Sequence, residues 1–373
     1  MPAETEDYTL GVEEEYQILD PETRGLVSDS GGLLEQARSA LGDQVEPEML
    51  ASQIEVMTPI CPALSDVRRE LVRLRRGVIR AAEGEGLWIS AASTHPFSRW
   101  EDQDLTPNNR YRRIMESFQR LAEVQLAFGF HVHVGLTDRE AAVEVLNRLR
   151  VWLSPLLALS ANSPFWQGED TGYASYRTQI WGRFPTAGPA GHLGSLSAHD
   201  SLVKSLVETG SVLDVASIYW DARLPEKHDT VEIRVADVCS KLDETVMLTG
   251  LSRALVRESH ERTLRGEPCP NSRPELVRAA HWRASRDGLD SELVDLEAGR
   301  SVPAREVIQN LLSFARPALE ETGDWEEVST LVAETLERGN GASRQRAAYE
   351  RAGKLEDVVD MLVRETAQGT SPA

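Results

Sequence analysis

A chain of 373 residues that is 41% hydrophobic and 27% charged can bury a full core, as one large domain or two smaller ones, and is not disordered. Its net charge of −20 disfavours nucleic acid and anionic membranes as partners, so any polyanionic substrate must be met by local cations. Three scattered cysteines (Cys61, Cys239, Cys269) argue against a disulfide framework or zinc knuckle and suit a reducing cytoplasm, and the acidic N-terminus shows no signal-peptide pattern.

Only four of the 40 basic residues are lysine, so the cations are almost all arginine. That fits a salt-rich cytoplasm, or simply a GC-rich genome. Residues 8–20 and 50–58 read as strands, with a helix at 32–40 between them. Residues 65–83 form an amphipathic helix with an apolar stripe of Val67, Leu71, Leu74 and Val78 and with Ser65 as N-cap. Its arginine face (Arg68, Arg69, Arg73, Arg76, Arg80) reads as a solvated surface balanced by neighbouring acids. A strand at 87–92, a helix at 110–126, a strand at 128–136 and a helix at 140–161 follow. The apolar stretch 151–166 is interrupted by Ser154, Pro155, Ser160, Asn162 and Pro164, and is too short to span a bilayer. Residues 163–200 show little periodicity and read as a long functional loop. Strands are expected at 212–219 and 230–238, then helices at 243–265, 274–287, 303–321, 325–338 and 342–365, with a frayed end at 368–373. No linker separates the two parts. The chain is therefore read as a single catalytic domain over 1–373, a sheet-bearing core at 8–240 and a helical flank at 241–373.

Four of these segments carry polar groups two residues apart inside apolar runs: Glu13-Glu14-Glu15, Gln53-Ile54-Glu55, His131-Val132-His133 and Glu232-Ile233-Arg234. In a strand such residues share a face, about 6.5–7 Å apart. If the strands share a sheet, one face carries carboxylates, imidazoles and a guanidinium, which is costly to desolvate without a ligand or metal. Glu13 and Glu15 would raise each other's pKa unless a cation sits between them; the alternative is an exposed edge strand whose acids serve solubility. His131 and His133 can both reach one metal or phosphate; the alternative is a core histidine and an incidental one. No third soft ligand sits at zinc spacing, so oxygen-rich ligation of Mg²⁺ or Mn²⁺ is the better match. Glu232 and Arg234 read as a metal ligand beside a phosphate-gripping arginine, or as a salt bridge. Arg177 and Arg183, among Trp181, Phe184 and Pro185, are candidates for phosphate or carboxylate, or stack structurally. There is no P-loop, no dinucleotide fingerprint, and no HExxH, GxSxG or CxxC.

Taken in order from residue 11 to about 289, the stretches GVEEEYQILD, SQIEVMTP, STHPFSRW, NNRYRRI, FGFHVHVGL, SYRTQIWGRFPTAGP, YWDARLPEKHDTVEIRVADV and HWRASRDGL resemble glutamate–cysteine ligase family 2, the carboxylate–amine ligases related to glutamine synthetase. The resemblance implies an α+β fold: a curved antiparallel β-sheet of the glutamine synthetase catalytic type, helices on its outer face and a helical C-terminal flank. It implies ATP and two or three divalent cations, Mg²⁺ or Mn²⁺, on the concave face. Carried over, Glu13, Glu15, Glu55, one or both of His131 and His133, and Glu232 would be metal ligands, with Glu48 a weaker addition. Arg234 would meet the transferred phosphoryl group, with Glu55 and Glu232 sharing the catalytic role. Arg177 and Arg183 would help bind phosphate or the substrate carboxylate. The implied reaction joins glutamate to an amine, cysteine by family default, through a γ-glutamyl phosphate, in the cytoplasm. A different amine, a guanidino phosphotransfer on the same fold, and a nucleotide binder without turnover are the alternatives. Partners are small molecules, with no nucleic acid or membrane, and the helix-rich outer face would allow a homodimer.

Overall fold

The computed structural model describes residues 8–29 and 31–370. Seven strands form one antiparallel sheet: β1 (Leu10–Leu19), β2 (Val45–Pro47), β3 (Gln53–Met57), β4 (Trp88–Ser90), β5 (Phe130–Gly135), β6 (Ala222–Arg223) and β7 (Thr230–Ile233). The order is β2-β3-β1-β5-β7-β6. The long β1 is central. One of its edges pairs with β3, and the other is divided between β5, opposite Leu10 to Glu14, and β4, opposite Gln17 to Leu19.

The alternation along β1 decides what each face does. Val12, Glu14 and Tyr16 are buried, while Glu13 and Glu15 are only partly so. Helices Leu64–Gly84 and Leu242–Leu264 pack on β1. From the first, fully buried Arg75 reaches Glu14, with Nε 3.0 Å from Oε2 and a second contact to Oε1. Thr245 Oγ1 also donates to Glu14 (2.8 Å), and Arg75 donates to the carbonyls of Ser240 (2.9 Å) and Cys239 (3.0 Å). Glu14 is therefore the anchor of a buried polar network, and the run of three glutamates is resolved by sending the middle one to the opposite face.

The Leu64–Gly84 helix buries Val67, Leu71, Leu74 and Val78 as the pattern requires. Ser65 is not its cap: it lies in the first turn, and Ala63 holds the cap position without a side-chain bond. The arginine face meets acids, with Arg68 paired to Asp243 (2.5 Å) and Glu327 (2.8 Å), and Arg73 to Glu70 (2.7 Å). All three cysteines are free.

Several elements differ from the sequence reading. The helix expected at 110–126 is broken at Gln119, where φ is +50°, into Asn109–Phe118 and Arg120–Glu123. The helix expected at 140–161 is two, Arg139–Leu149 and Leu153–Ser160, because Pro155 has no N–H to extend the first one. Residues 212–219 hold no strand: a 3₁₀ turn, Val215–Ser217, is capped by Asp214, and the strand comes later at β6. Nor is 163–200 one irregular loop. It contains a hairpin (Phe165–Trp166 with Glu169–Asp170), the helix Tyr176–Trp181 and the start of the helix Leu196–Glu208. The helices Leu242–Leu264, Pro274–Asp287, Ala304–Thr322 and Trp325–Arg338 match expectation. The last one is two, Gly341–Ala352 and Leu355–Ala367, divided at Gly353 with φ +69°. Thr370 is buried, with its carbonyl accepting from Arg76, so fraying does not begin at 368; residues 371–373 lie outside the described residues. Among the described residues no helix is long and apolar enough to cross a membrane.

Candidate active site

Strand register assembles the site. Glu15 on β1 stands opposite Glu55 on β3, and Glu13 opposite His131 on β5. His133 stands opposite Glu232 on β7, which faces Arg223 on β6. Each of the four sequence pairs thus contributes to one band across the sheet, on the face away from the Arg75 network. Glu48, just after β2, joins Glu15 and Glu55. Gly129 makes room for the band: a Cβ there would lie 2.7 Å from Glu15 Oε1 and 3.1 Å from His131 Nε2, while its N–H donates to Glu15 Oε2 at 2.6 Å.

The carboxylates divide into two electrostatic groups. Burial works against the ionised form of Glu13, but His131 (Nδ1 to Oε2, 2.7 Å) and His133 (Nε2 to Oε1, 3.2 Å) hold its pKa well below the usual range. Burial likewise opposes ionised Glu232, yet Arg234 and Arg223 hold it far below normal; Arg223 Nε lies 2.6 Å from Oε2, and Arg234 bonds Oε1 directly. By contrast Glu15 is pushed up to about 8 by burial and by Glu48. Glu48 rises through burial, and Glu55 rises well above normal through burial and the charges of Glu13, Glu48 and Glu15. The expected mutual effect of Glu13 and Glu15 is thus corrected: Glu13 is lowered, and Glu15 owes its shift to burial and Glu48. Burial and Arg234 bring His131 down to about 4, which leaves a neutral imidazole at pH 7.

Three overlapping sets on this band offer ligand atoms within 4.8 Å of one another: Glu13, Glu55 and His131; Glu13, His133 and Glu232; Glu15, Glu48 and Glu55. Glu13 and Glu55 each belong to two. The donors are mostly carboxylate oxygens, which suits hard divalent cations. Crowded carboxylates whose ionised forms are disfavoured are the arrangement that a cation relieves. The residues therefore fit Mg²⁺ or Mn²⁺.

Arg234 and Arg177 border a cleft of about 210 Å³ beside the band. Arg177 is buried in the first turn of the helix Tyr176–Trp181, whose start is fixed by a polar network. Asp237 accepts from the Asn162 amide (2.8 Å) and from the hydroxyls of Ser163 (2.7 Å) and Ser175 (2.8 Å), and Ser163 Oγ accepts from the Arg177 amide (3.1 Å). Arg183 is not brought to this group: it is exposed and does not line the cleft. The Glu232–Arg234 salt bridge is present, and Glu232 also offers an oxygen to one of the three candidate ligand sets.

Sequence reasoning missed Arg223, the second cation on Glu232. It also missed Tyr111, whose hydroxyl donates to the Pro47 carbonyl (3.2 Å) and is pushed up by burial and by Glu48, Glu55 and Glu15. Asp221 and His281 in the cleft were missed as well. All four lie in stretches already noted, but their placement beside the band or the cleft depends on tertiary approach.

The sequence profile of glutamate–cysteine ligase family 2 matches residues 9–361. A Frankia alni protein provisionally named glutamate–cysteine ligase 2-2 is 44% identical over 378 residues, covering 98% of both chains. A Rhodopirellula baltica protein, provisionally named glutamate–cysteine ligase 2, is 38% identical with 96% of both covered. Among solved structures, the glutamate–cysteine ligase of Francisella tularensis in complex with AMP superposes with a TM-score of 0.75 at 12% identity, over 98% of this chain and 89% of that one. The bifunctional glutathione synthetase of Pasteurella multocida gives 0.72 at 16%, over 98% of this chain and 53% of that one. These two likenesses show a shared fold, an α+β arrangement around an antiparallel sheet that is not closed into a barrel. With the profile match over most of its length and these relatives in sequence, the chain belongs to glutamate–cysteine ligase family 2.

Proposed function

We propose that this protein is an ATP-dependent carboxylate–amine ligase that joins the γ-carboxylate of glutamate to an amine, with cysteine as that amine. The observation that carries the reading is the band of three overlapping ligand sets next to Arg234. Family membership and the AMP complex of the Francisella relative support ATP as the phosphoryl donor. Glu13, Glu15, Glu48, Glu55, His131, His133 and Glu232 would hold Mg²⁺ or Mn²⁺, which when bound supply charge neutralisation on the triphosphate and on the phosphoryl group in transfer.

The chain's own residues do the rest. A γ-carboxylate oxygen attacks the γ-phosphorus of ATP, the bond to the bridging oxygen breaks, and ADP leaves. Two anions must meet for this step, and Arg234, held in position by Glu232, offsets their repulsion. Arg177, oriented through Ser163 by Asp237, adds a second guanidinium at the same edge. The amine nitrogen then attacks the γ-carbonyl carbon of the γ-glutamyl phosphate. The C–O bond breaks, phosphate departs with one former carboxylate oxygen, and the nitrogen loses a proton to solvent. No nucleophilic side chain is required, which agrees with the lack of a serine or cysteine motif. The whole chain acts as one catalytic domain in this reading, supported by a hydrophobic core that runs from Leu10 on the sheet to Val332 on the C-terminal helices.

The test is ADP release with ATP, Mg²⁺ and glutamate, with and without cysteine and a panel of other amines. Cysteine-dependent ADP release with γ-glutamylcysteine as product is the expected result. ADP release with none of the amines, in protein that binds Mg–ATP, overturns it.

A further inference from the structure

Two openings meet the site residues. One, of about 400 Å³, borders Glu13 and His133 and includes Leu10, Val12, Met57 and Ile60 in its wall. The other is the cleft of about 210 Å³ at Arg177 and Arg234. The smaller cleft carries a feature that phosphoryl transfer does not use. Asp221 lines it with its side chain only 12% exposed, and its buried Oδ2 has no hydrogen-bond partner. His281 Nδ1 stands 3.3 Å from it, within ion-pair range but without a hydrogen bond. Trp181 Nε1 and Arg177 Nε, on residues of the same cleft, are also buried and unpartnered.

Asp221 does not hang free. Its N–H donates to the Gly188 carbonyl (3.0 Å), and its own carbonyl accepts from the Arg234 amide at 2.7 Å. The backbone thus ties the aspartate to the arginine assigned to the phosphoryl group. A carboxylate oxygen held this deep, with only a poorly aligned imidazole beside it, is costly unless a ligand brings a well-placed donor. The cleft asks for a compact ligand with one cationic group for Asp221 and anionic groups for its arginines. An α-amino acid has that charge pattern. A nucleoside triphosphate does not, and the larger, more apolar opening suits it better by size and lining.

Resting on the ligase reading above, we infer that this cleft is the subsite for the amino acid whose side-chain carboxylate is activated, with Asp221 accepting from the α-ammonium group and Arg278 meeting the α-carboxylate. Arg278 lines the same cleft and is exposed. The γ-carboxylate then points to Arg234. Asp221 is the residue that distinguishes glutamate from a plain dicarboxylate, and Arg278 the one that distinguishes it from a plain amino-monocarboxylate.

The experiment compares glutamate, glutarate (no α-ammonium) and 4-aminobutyrate (no α-carboxylate) as carboxylate substrates. It reads ADP release by the full chain as wild type, Asp221→Asn and Arg278→Gln. In the wild type, kcat/KM for glutamate should exceed that for glutarate by at least about tenfold, as expected of a charge-assisted hydrogen bond. Asp221→Asn should cut that ratio at least tenfold while the KM for ATP stays within twofold. Arg278→Gln should lower the glutamate to 4-aminobutyrate ratio and leave the glutarate ratio intact. Ratios within one preparation cancel any inactive fraction, and the exposed Arg278 provides a variant whose fold is not at risk. Unchanged ratios in the variants, or a change in the KM for the amine instead, would overturn the assignment. A wild type with no glutamate-dependent ADP release would fail the ligase reading itself, before any variant is compared, and the inference with it.

Discussion

Replacing Gly129 by alanine tests the site through a residue that ligates nothing. The glycine φ is not in the left-handed region, so the strand backbone accepts an alanine. The added methyl would meet Glu15 Oε1 at 2.7 Å and His131 Nε2 at 3.1 Å, both nearer than ordinary van der Waals contact. Both side chains must therefore withdraw by some tenths of an ångström. Overpacking of this kind costs about 1–3 kcal/mol. Here it falls on two groups from different ligand sets, Glu15 with Glu48 and Glu55, and His131 with Glu13 and Glu55. Displaced ligand atoms should weaken Mn²⁺ binding by about 10- to 100-fold, the range seen when groups that orient metal ligands are lost. Titration of Mn²⁺ into protein free of divalent ions, read by the electron paramagnetic resonance signal of the free ion, measures it. Gly191→Ala is the control, since a Cβ there meets nothing within 4 Å. Mn²⁺ affinity of Gly129→Ala within about twofold of wild type would refute the crowding argument.

Further outcomes follow from the same geometry. Glu55→Gln should lower kcat by at least about 100-fold, because the residue belongs to two ligand sets, yet leave thermal stability at pH 7 nearly unchanged, since burial and its acidic neighbours already favour the neutral form. A large loss of stability instead would show that Glu55 is structural. Arg75→Met should destabilise by about 3–5 kcal/mol in denaturant titration by leaving Glu14 buried and unpaired, and Arg75→Met with Glu14→Gln together should cost less. A small effect of the single change would contradict the buried pairing. Without divalent ions, stability should fall between pH 6.5 and 8. The Glu15 pKa is raised from 4.5 to about 8, so its contribution is complete below 4.5 and is lost as pH rises through 8, about 2 kcal/mol over that window. His133, also raised, acts in the same direction, and saturating Mg²⁺ should flatten the profile. Stability that rises over this window would contradict it.

Strand periodicity explains how much of the site was legible. The i, i+2 spacing of Glu13 and Glu15, and of His131 and His133, states which residues share a face, and apolar neighbours state that the strands are buried. Register was not legible: that Glu55 faces Glu15 and His133 faces Glu232 depends on long-range pairing. Arg177, in the helix Tyr176–Trp181, borders the cleft, whereas Arg183, in the same motif but beyond the end of that helix, is exposed, and the motif alone does not tell the two apart. Helix ends failed where one residue overrides the pattern: Gln119 and Gly353 adopt positive φ, and Pro155 removes a donor. Strand alternation puts Glu14 on the face opposite Glu13 and Glu15, but its partner there, Arg75, comes from a distant helix and is not legible in the local pattern.

The central claim is that the γ-carboxylate of glutamate is phosphorylated and then displaced by an amine. Glutamate labelled with ¹⁸O in its γ-carboxylate tests this directly, by mass analysis of the phosphate released with ATP, Mg²⁺ and cysteine. The account predicts one ¹⁸O atom in each phosphate and one amide formed for each ADP. Phosphate without label, or ADP formed with the phosphoryl group retained on the acceptor and no free phosphate, would contradict it.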